Sequence, residues 1–179
     1  MIYVALLRGI NVGGKNRVEM KRLKETFERI STTDVVTYIN SGNIIFKDSK
    51  RTEQQLVTAL EKAIEQDFGF GVKVLVRNAK NIAAVAKALS DTWVNDGTMK
   101  CDVMFLWEKY DNADVINEFT IKPDIDDVIY VDGAVLWRVD RKNASRSGLM
   151  KIFGTDLYAH MTIRNSNTLR KLNNIMQEL

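Results

Sequence analysis

The sequence predicts an α+β fold of two ferredoxin-like (βαββαβ) subdomains, each an antiparallel sheet with helices on one face. Three observations predict it. Strand-like and helix-like segments follow one another as β-α-β-β-α-β in the first part of the chain. The pattern restarts near Cys101. Each half also holds a similar hairpin: Val36-Thr37-Tyr38-Ile39 and Val128-Ile129-Tyr130-Val131 each lead through a Gly-containing turn into an aliphatic-aromatic strand, Ile44-Ile45-Phe46 in one and Val135-Leu136-Trp137 in the other. This reads as a diverged internal duplication.

Residues 2–8 are strongly apolar, as a buried central strand requires. A Gly-rich basic loop follows. Met20, Leu23, Phe27 and Ile30 then recur at helical spacing and form one apolar face, and Asn16 with Glu19 is placed to cap that helix. Residues 35–39 and 44–47 read as strands around the turn Asn40-Ser41-Gly42-Asn43, because Asn and Gly tolerate positive φ. Thr52 and Gln55 make a capping box, and the helix it opens buries Leu56, Leu60, Ala63 and Ile64. Gly69 and Gly71 bracket its exit, and residues 72–76 are the next strand. A helix with Ile82, Val85, Ala86 and Leu89 on one face completes the first subdomain, residues 1–90.

The second subdomain, residues 91–179, opens with a strand at 101–107 and a short helix marked by Val115, Ile116 and Phe119. Strands at 128–131 and 135–139 flank the turn Asp132-Gly133. From Ser147 onward the pattern is helical, with Asn165 capping a last helix whose Leu169, Leu172, Ile175 and Met176 face inward. Pro123 is the only proline, so no Pro-rich linker separates the halves, and a short hinge is expected at 90–100.

Composition bounds the class. A chain of 179 residues with 45% hydrophobic and 27% charged residues suits a globular protein of one domain or two small subdomains. Its single cysteine, Cys101, excludes an internal disulfide and fits a reducing cytoplasm. Residues 2–7 are too short for a signal-peptide core and no apolar run reaches spanning length, so no membrane partner is expected. The net charge of +3 is unevenly spread. Seven basic and three acidic residues lie between Arg8 and Arg29, and eight basic and two acidic between Arg138 and Lys171. Nine acidic and two basic residues lie between Asp102 and Asp132. Basic ends flanking an acidic middle can steer an anionic partner, although a mixed solvated surface gives the same count.

The segment Arg8-Gly9-Ile10-Asn11-Val12-Gly13-Gly14-Lys15-Asn16 is the best candidate site. Gly9-x-x-x-x-Gly14-Lys15-Asn16 matches most of a P-loop, but Asn16 stands where Ser or Thr should hold Mg²⁺, and the strand order is not that of a parallel nucleotide-hydrolase sheet. The chemistry that remains is anion binding. Arg8, Lys15 and Arg17 would supply charge and the Gly13 and Gly14 amides would cradle oxygens. Asn11, Asn40, Ser41 and Asn43 would orient the ligand. Arg164, beside the N-terminus of the last helix, would join them. The alternative is that the glycines only permit a tight strand-to-helix connection and the second turn is only a turn. In a βαββαβ unit the first and third strands are neighbours, which would bring Arg8 close to Asn43.

Other chemistries are poorly supported. The RNA-recognition order is present, with Tyr3 on the first strand, but the third strand offers Phe46 as its one aromatic. His160 is the only histidine, and no metal site is expected. Cys101 reads as a buried hydrophobe, and Ser41 has no nucleophile context. Asp124, Asp126 and Asp127 lack the Gly and closing Glu of a Ca²⁺ loop and read as a solvated acidic turn. Trp93, Trp107 and Trp137 read as core or interface residues.

Three motifs carry a resemblance: residues 6–16, the stretch Thr37-Tyr38-Ile39-Asn40-Ser41-Gly42-Asn43-Ile44-Ile45-Phe46, and Thr162-Ile163-Arg164-Asn165. Together they resemble the bacterial domain-of-unknown-function family 1697, across nearly the whole chain. Ser166 stands where the family typically has Trp. The resemblance implies a duplicated ferredoxin-like fold and no established activity, substrate or cofactor. The expected function is therefore binding of an anionic ligand, a nucleotide or a nucleic-acid phosphate, with no cofactor identified. The alternatives are an enzyme acting on a phosphorylated small molecule and a protein-interaction module. The oligomeric state is not encoded legibly.

Overall fold

The computed structural model describes residues 1–14 and 16–179, so Lys15 lies outside the described residues. The order is β1 (Ile2–Leu7), α1 (Met20–Arg29), β2 (Thr33–Tyr38), β3 (Asn43–Lys47), α2 (Glu53–Phe68), β4 (Val74–Asn78), α3 (Ala79–Ala88) and β5 (Met99–Leu106), then β6 (Asp126–Val131), β7 (Ala134–Asp140), α4 (Asp156–Ala159), β8 (Met161–Asn165) and α5 (Ser166–Glu178). The strands form two four-stranded antiparallel sheets, ordered β2-β3-β1-β4 and β6-β7-β5-β8. This is the duplicated ferredoxin-like fold, with the first and third strands of each repeat central. The two repeats even share backbone bonds. Leu7 N–H donates to the Gly42 carbonyl (2.8 Å) as Leu106 N–H does to that of Gly133 (3.0 Å). Arg8 N–H donates to Lys73 (2.9 Å) as Trp107 N–H does to His160 (3.0 Å).

The chain divides into two compact units, Met1–Lys80 with Leu172–Leu179, and Asn81–Lys171. The boundaries fall within α3, between Lys80 and Asn81, and within α5, between Lys171 and Leu172. In the second unit Asn81 Nδ2 donates to the Asp132 carbonyl at 2.8 Å, which ties the start of α3 to the β6–β7 turn.

In the first unit Tyr3, Ala5 and Leu7 of β1 pack with Ile44 and Phe46 of β3 beneath Leu23 and Phe27 of α1 and Leu56, Leu60 and Ile64 of α2. Phe46 stacks on Tyr3 at 5.9 Å and meets Phe27 edge-on at 5.4 Å. Tyr3 is therefore a core residue and not a stacking platform. Val4, Leu6 and Ile45, on the opposite face, are buried as well. The capping box of α2 is present, with Gln55 N–H on Thr52 Oγ1 and Thr52 N–H on Gln55 Oε1, and Gly69 ends the helix in the left-handed conformation.

Five expectations need correction. Asn16 does not cap α1. The helix begins at Met20 after an extended Glu19 with no side-chain cap, while Asn16 is left-handed and turns its amide to the Gly9 carbonyl. Ile39 belongs to the turn and Asn43 to β3, because Ile39 leaves the strand with φ 49°. The fourth strand of the first sheet runs from Val74, two residues later than its apolar run begins. The chain after Ser147 is not wholly helical. β8 pairs with β5, and Asn165 is both its last residue and the cap of α5, accepting the Thr168 N–H at 2.8 Å. Finally, Asp126 is not solvated. It is buried and accepts from Trp137 Nε1 (3.2 Å), Ser147 Oγ (2.5 Å), Lys122 N–H (3.0 Å) and Gly148 N–H (2.9 Å).

Before α5 the helical segments of the second repeat are short, mostly 3₁₀ turns at 108–110, 113–118, 141–146 and 148–152. The segment 108–118 holds Glu108, Lys109, Asp111, Asp114 and Glu118 and buries only Val115, too little for an amphipathic helical face. Trp137, Met104, Leu106, Leu149, Ile152 and Leu157 fill that unit's core instead.

Candidate functional site

The β1–α1 loop is shaped by one side chain. Asn11 Oδ1 accepts the Val18 N–H (2.8 Å), and Asn11 Nδ2 donates to the carbonyls of Val18 (3.0 Å) and Asn40 (2.8 Å). Its amide thus copies a backbone bridge and staples the loop to the β2–β3 turn. The Gly13-Gly14 step reverses the chain with φ of 59° and 75°, which other residues adopt only with strain.

The turn opposite is equally constrained. Asn43 is fully buried and closes it, donating to the Tyr38 carbonyl (3.1 Å) and to Ser41 Oγ (3.0 Å). Gly42 has φ 74°, and a Cβ there would lie 2.7 Å from Leu7 Cβ. Ile39 holds φ 49° while half its surface (50%) is exposed, a strained position for a β-branched residue. Val12, in the β1–α1 loop, is 68% exposed.

Between these loops, the start of α1 and the end of α2 lies a groove of about 790 Å³. Asn11, Gly14, Arg17, Val18 and Glu19 form its loop side, Met20 and Arg22 come from α1, Asn40 from the turn and Phe68 from α2. Its volume is in the range of small-molecule sites. Two guanidinium groups face one carboxylate, a positive balance. The Arg22 guanidinium lies 5.0 Å from the Phe68 ring centroid, and its Nη2 donates to the Asp67 carbonyl. The Asp67 carboxylate is held by Arg29 (2.7 Å) and Thr26 Oγ1 (2.6 Å), and these bonds keep it below the usual carboxylate range. Arg17 is exposed and makes no hydrogen bond or ion pair to another described residue.

The expected residues divide accordingly. Asn11, Gly14 and Asn40 line the groove, and Gly13 is exposed in the same loop. The β1–β3 register pairs Leu6 with Asn43, which brings the Arg8 end of β1 to the turn as the topology requires. Ser41 and Asn43 stand behind the wall, closing the turn. Asn11 spends its amide on the loop. Lys15 lies outside the described residues. Arg164 belongs to the second unit. It is 8% exposed, donates to Thr162 Oγ1 (3.0 Å) and the Ile163 carbonyl (2.8 Å), and burial lowers its pKa to about 10. Arg22, Glu19 and Phe68 escape sequence reading. Phe68 continues the apolar stripe of α2 and reads as core, and only the fold brings it beside α1.

At the corresponding corner of the second repeat the charged side chains pair with one another. Lys109 Nζ (2.5 Å) and Tyr110 OH (2.7 Å) both reach the Asp156 carboxylate, which they hold below its usual range. His160 Nδ1 lies 3.5 Å from the same group. Asp111 takes the place of a loop staple, accepting from Gly133 N–H (2.7 Å) and Tyr130 OH (3.1 Å).

Among the described residues no group of His, Cys, Asp or Glu is arranged to hold a metal, and no helix is long and apolar enough to cross a membrane. Cys101 is fully buried, and burial raises its thiol to about 11.

The family described as "Protein of unknown function (DUF1697)" matches residues 1–137, which include the loop and turn motifs but not Thr162–Asn165. The solved structure of the conserved bacterial protein SP0830 from Streptococcus pneumoniae is similar at 29% identity, over 98% of each chain, with a TM-score of 0.83. No curated protein matches.

Proposed function

The chain belongs to the protein family of unknown function DUF1697, and from that premise we propose that its first unit binds an anionic ligand, a phosphate group of a nucleotide or nucleic acid, in the groove beside the β1–α1 loop. One contrast carries this reading. Where the second repeat satisfies Lys109 with its own Asp156, the first repeat leaves Arg17 without such a partner among the described residues at the mouth of a groove. An unpaired guanidinium presents planar donors suited to phosphate oxygens. The N-terminus of α1, with no side-chain cap, lines the same groove and favours negative charge there, opposed by the one carboxylate of Glu19 at the cap position. A lone, buried cysteine fits a cytoplasmic setting for such a protein.

Isothermal titration with inorganic phosphate and pyrophosphate at low ionic strength tests the reading. Saturable binding is expected, weakened about 10–100-fold by Arg17→Ala, the loss of one charge-assisted contact. Absence of binding by either anion, or equal binding by the Arg17→Ala protein, would refute it.

A further inference from the structure

We propose that the ligand of this groove is a mononucleotide, its phosphate on Arg17 and its base stacked on the Arg22 guanidinium. The inference rests on the anion-binding reading and adds the ligand class. A groove that served a bare phosphate would need only charge. This one has a flat surface as well.

Arg22 is fixed on two sides. The Phe68 ring lies beneath its guanidinium at 5.0 Å, and the Asp67 carbonyl accepts from Nη2. Phe68 is itself packed against the core of the first unit. A planar, delocalised cation held over an aromatic ring still offers its outer face. Guanidinium planes stack on nucleobases as they stack on aromatic rings. Arg22 is exposed, so that outer face is open to solvent.

The remaining walls supply what a base edge requires. Asn40 turns its backbone carbonyl to Asn11, and its side-chain amide makes no hydrogen bond to another described residue. An amide offers both a donor and an acceptor. Glu19 offers acceptors only, which suit the N–H groups of a base and not a phosphate. Cation, flat platform and mixed donor-acceptor edge therefore occur in one groove of about 790 Å³, large enough for a nucleoside monophosphate and not only for an inorganic ion.

The test compares inorganic phosphate, ribose 5-phosphate, AMP, GMP, CMP and UMP by isothermal titration, on the parent chain and on Arg22→Lys. At least one mononucleotide is expected to bind about tenfold or more tighter than ribose 5-phosphate, the increment of one stacked base. Arg22→Lys keeps the charge and removes the plane. It is expected to lower the affinity of that mononucleotide by about tenfold more than it lowers the affinity of ribose 5-phosphate. Circular dichroism and a melting curve confirm that the variant is folded. Equal binding of ribose 5-phosphate and every mononucleotide would overturn this proposal and leave the anion reading standing. An increment that survives Arg22→Lys would also overturn it. Tighter binding of a 5′-phosphorylated single-stranded oligonucleotide than of any mononucleotide would replace it with a nucleic-acid site. No binding of any of these, phosphate included, would defeat both readings.

Discussion

Single residues in this chain illustrate how differently buried polar groups are accommodated. Asp126 sits in the second core with four donors on its two oxygens, so the cost of desolvating a carboxylate is offset by a complete set of bonds. Asp102 has a poorer environment. Burial raises its carboxyl above the usual range, and Lys100 at 3.3 Å, with Arg141 farther off, only partly opposes this. The sign of its effect on stability follows. An acid whose folded pKa exceeds its unfolded value is harmless while protonated in both states and costs stability as the pH rises through the folded value. Asp102→Asn removes that titration. Its melting temperature relative to the parent should therefore be higher at pH 7.5 than at pH 3.5, measured by differential scanning fluorimetry in matched ionic strength. A difference that is flat with pH, or moves the other way, would contradict the assignment.

At the scale of elements, the β2–β3 turn is the tightest joint of the first unit. Gly42 combines a left-handed backbone with a close approach to Leu7 Cβ and Ile10 Cδ1. Gly42→Ala should destabilise the protein by about 1–3 kcal/mol, read from urea unfolding, because strain and overpacking act together. Gly13→Ala, with nothing near its Cβ, should cost less, about 1 kcal/mol from the backbone alone. The sequence disclosed most of these elements, since apolar period and capping pairs act locally: the stripe of α2, its Thr52–Gln55 box and both hairpins are where periodicity puts them. It hid what depends on distant partners. Ile39 looks like strand and is turn because the register of β3 begins at Asn43. β8 carries a charged Arg164 whose burial no local pattern announces. The groove was half legible, because Asn11, Gly14 and Asn40 stand in Gly-Asn motifs whereas Arg22 and Phe68 belong to two ordinary amphipathic helices.

For the whole molecule, the duplication gives two corresponding corners with different chemistry: Lys109 is paired with Asp156 in one, whereas Arg17 makes no ion pair to another described residue in the other. Each repeat has its own core, and the same backbone bonds hold the ends of β1 and β5, so loop chemistry can diverge without disturbing either sheet. The helix α5 is different in kind. Its early part belongs to the second unit, while Leu172–Leu179, with the buried Leu172 and Met176, belong to the first. Domains made on the ribosome ordinarily fold in the order in which they emerge. Here the first unit is made first and finished last, since residues it needs are translated only after all of the second. Nascent chains stalled at increasing lengths should show protease protection of 81–171 before the first unit reaches its full resistance. The order of synthesis and the order of completion are thus reversed in this chain.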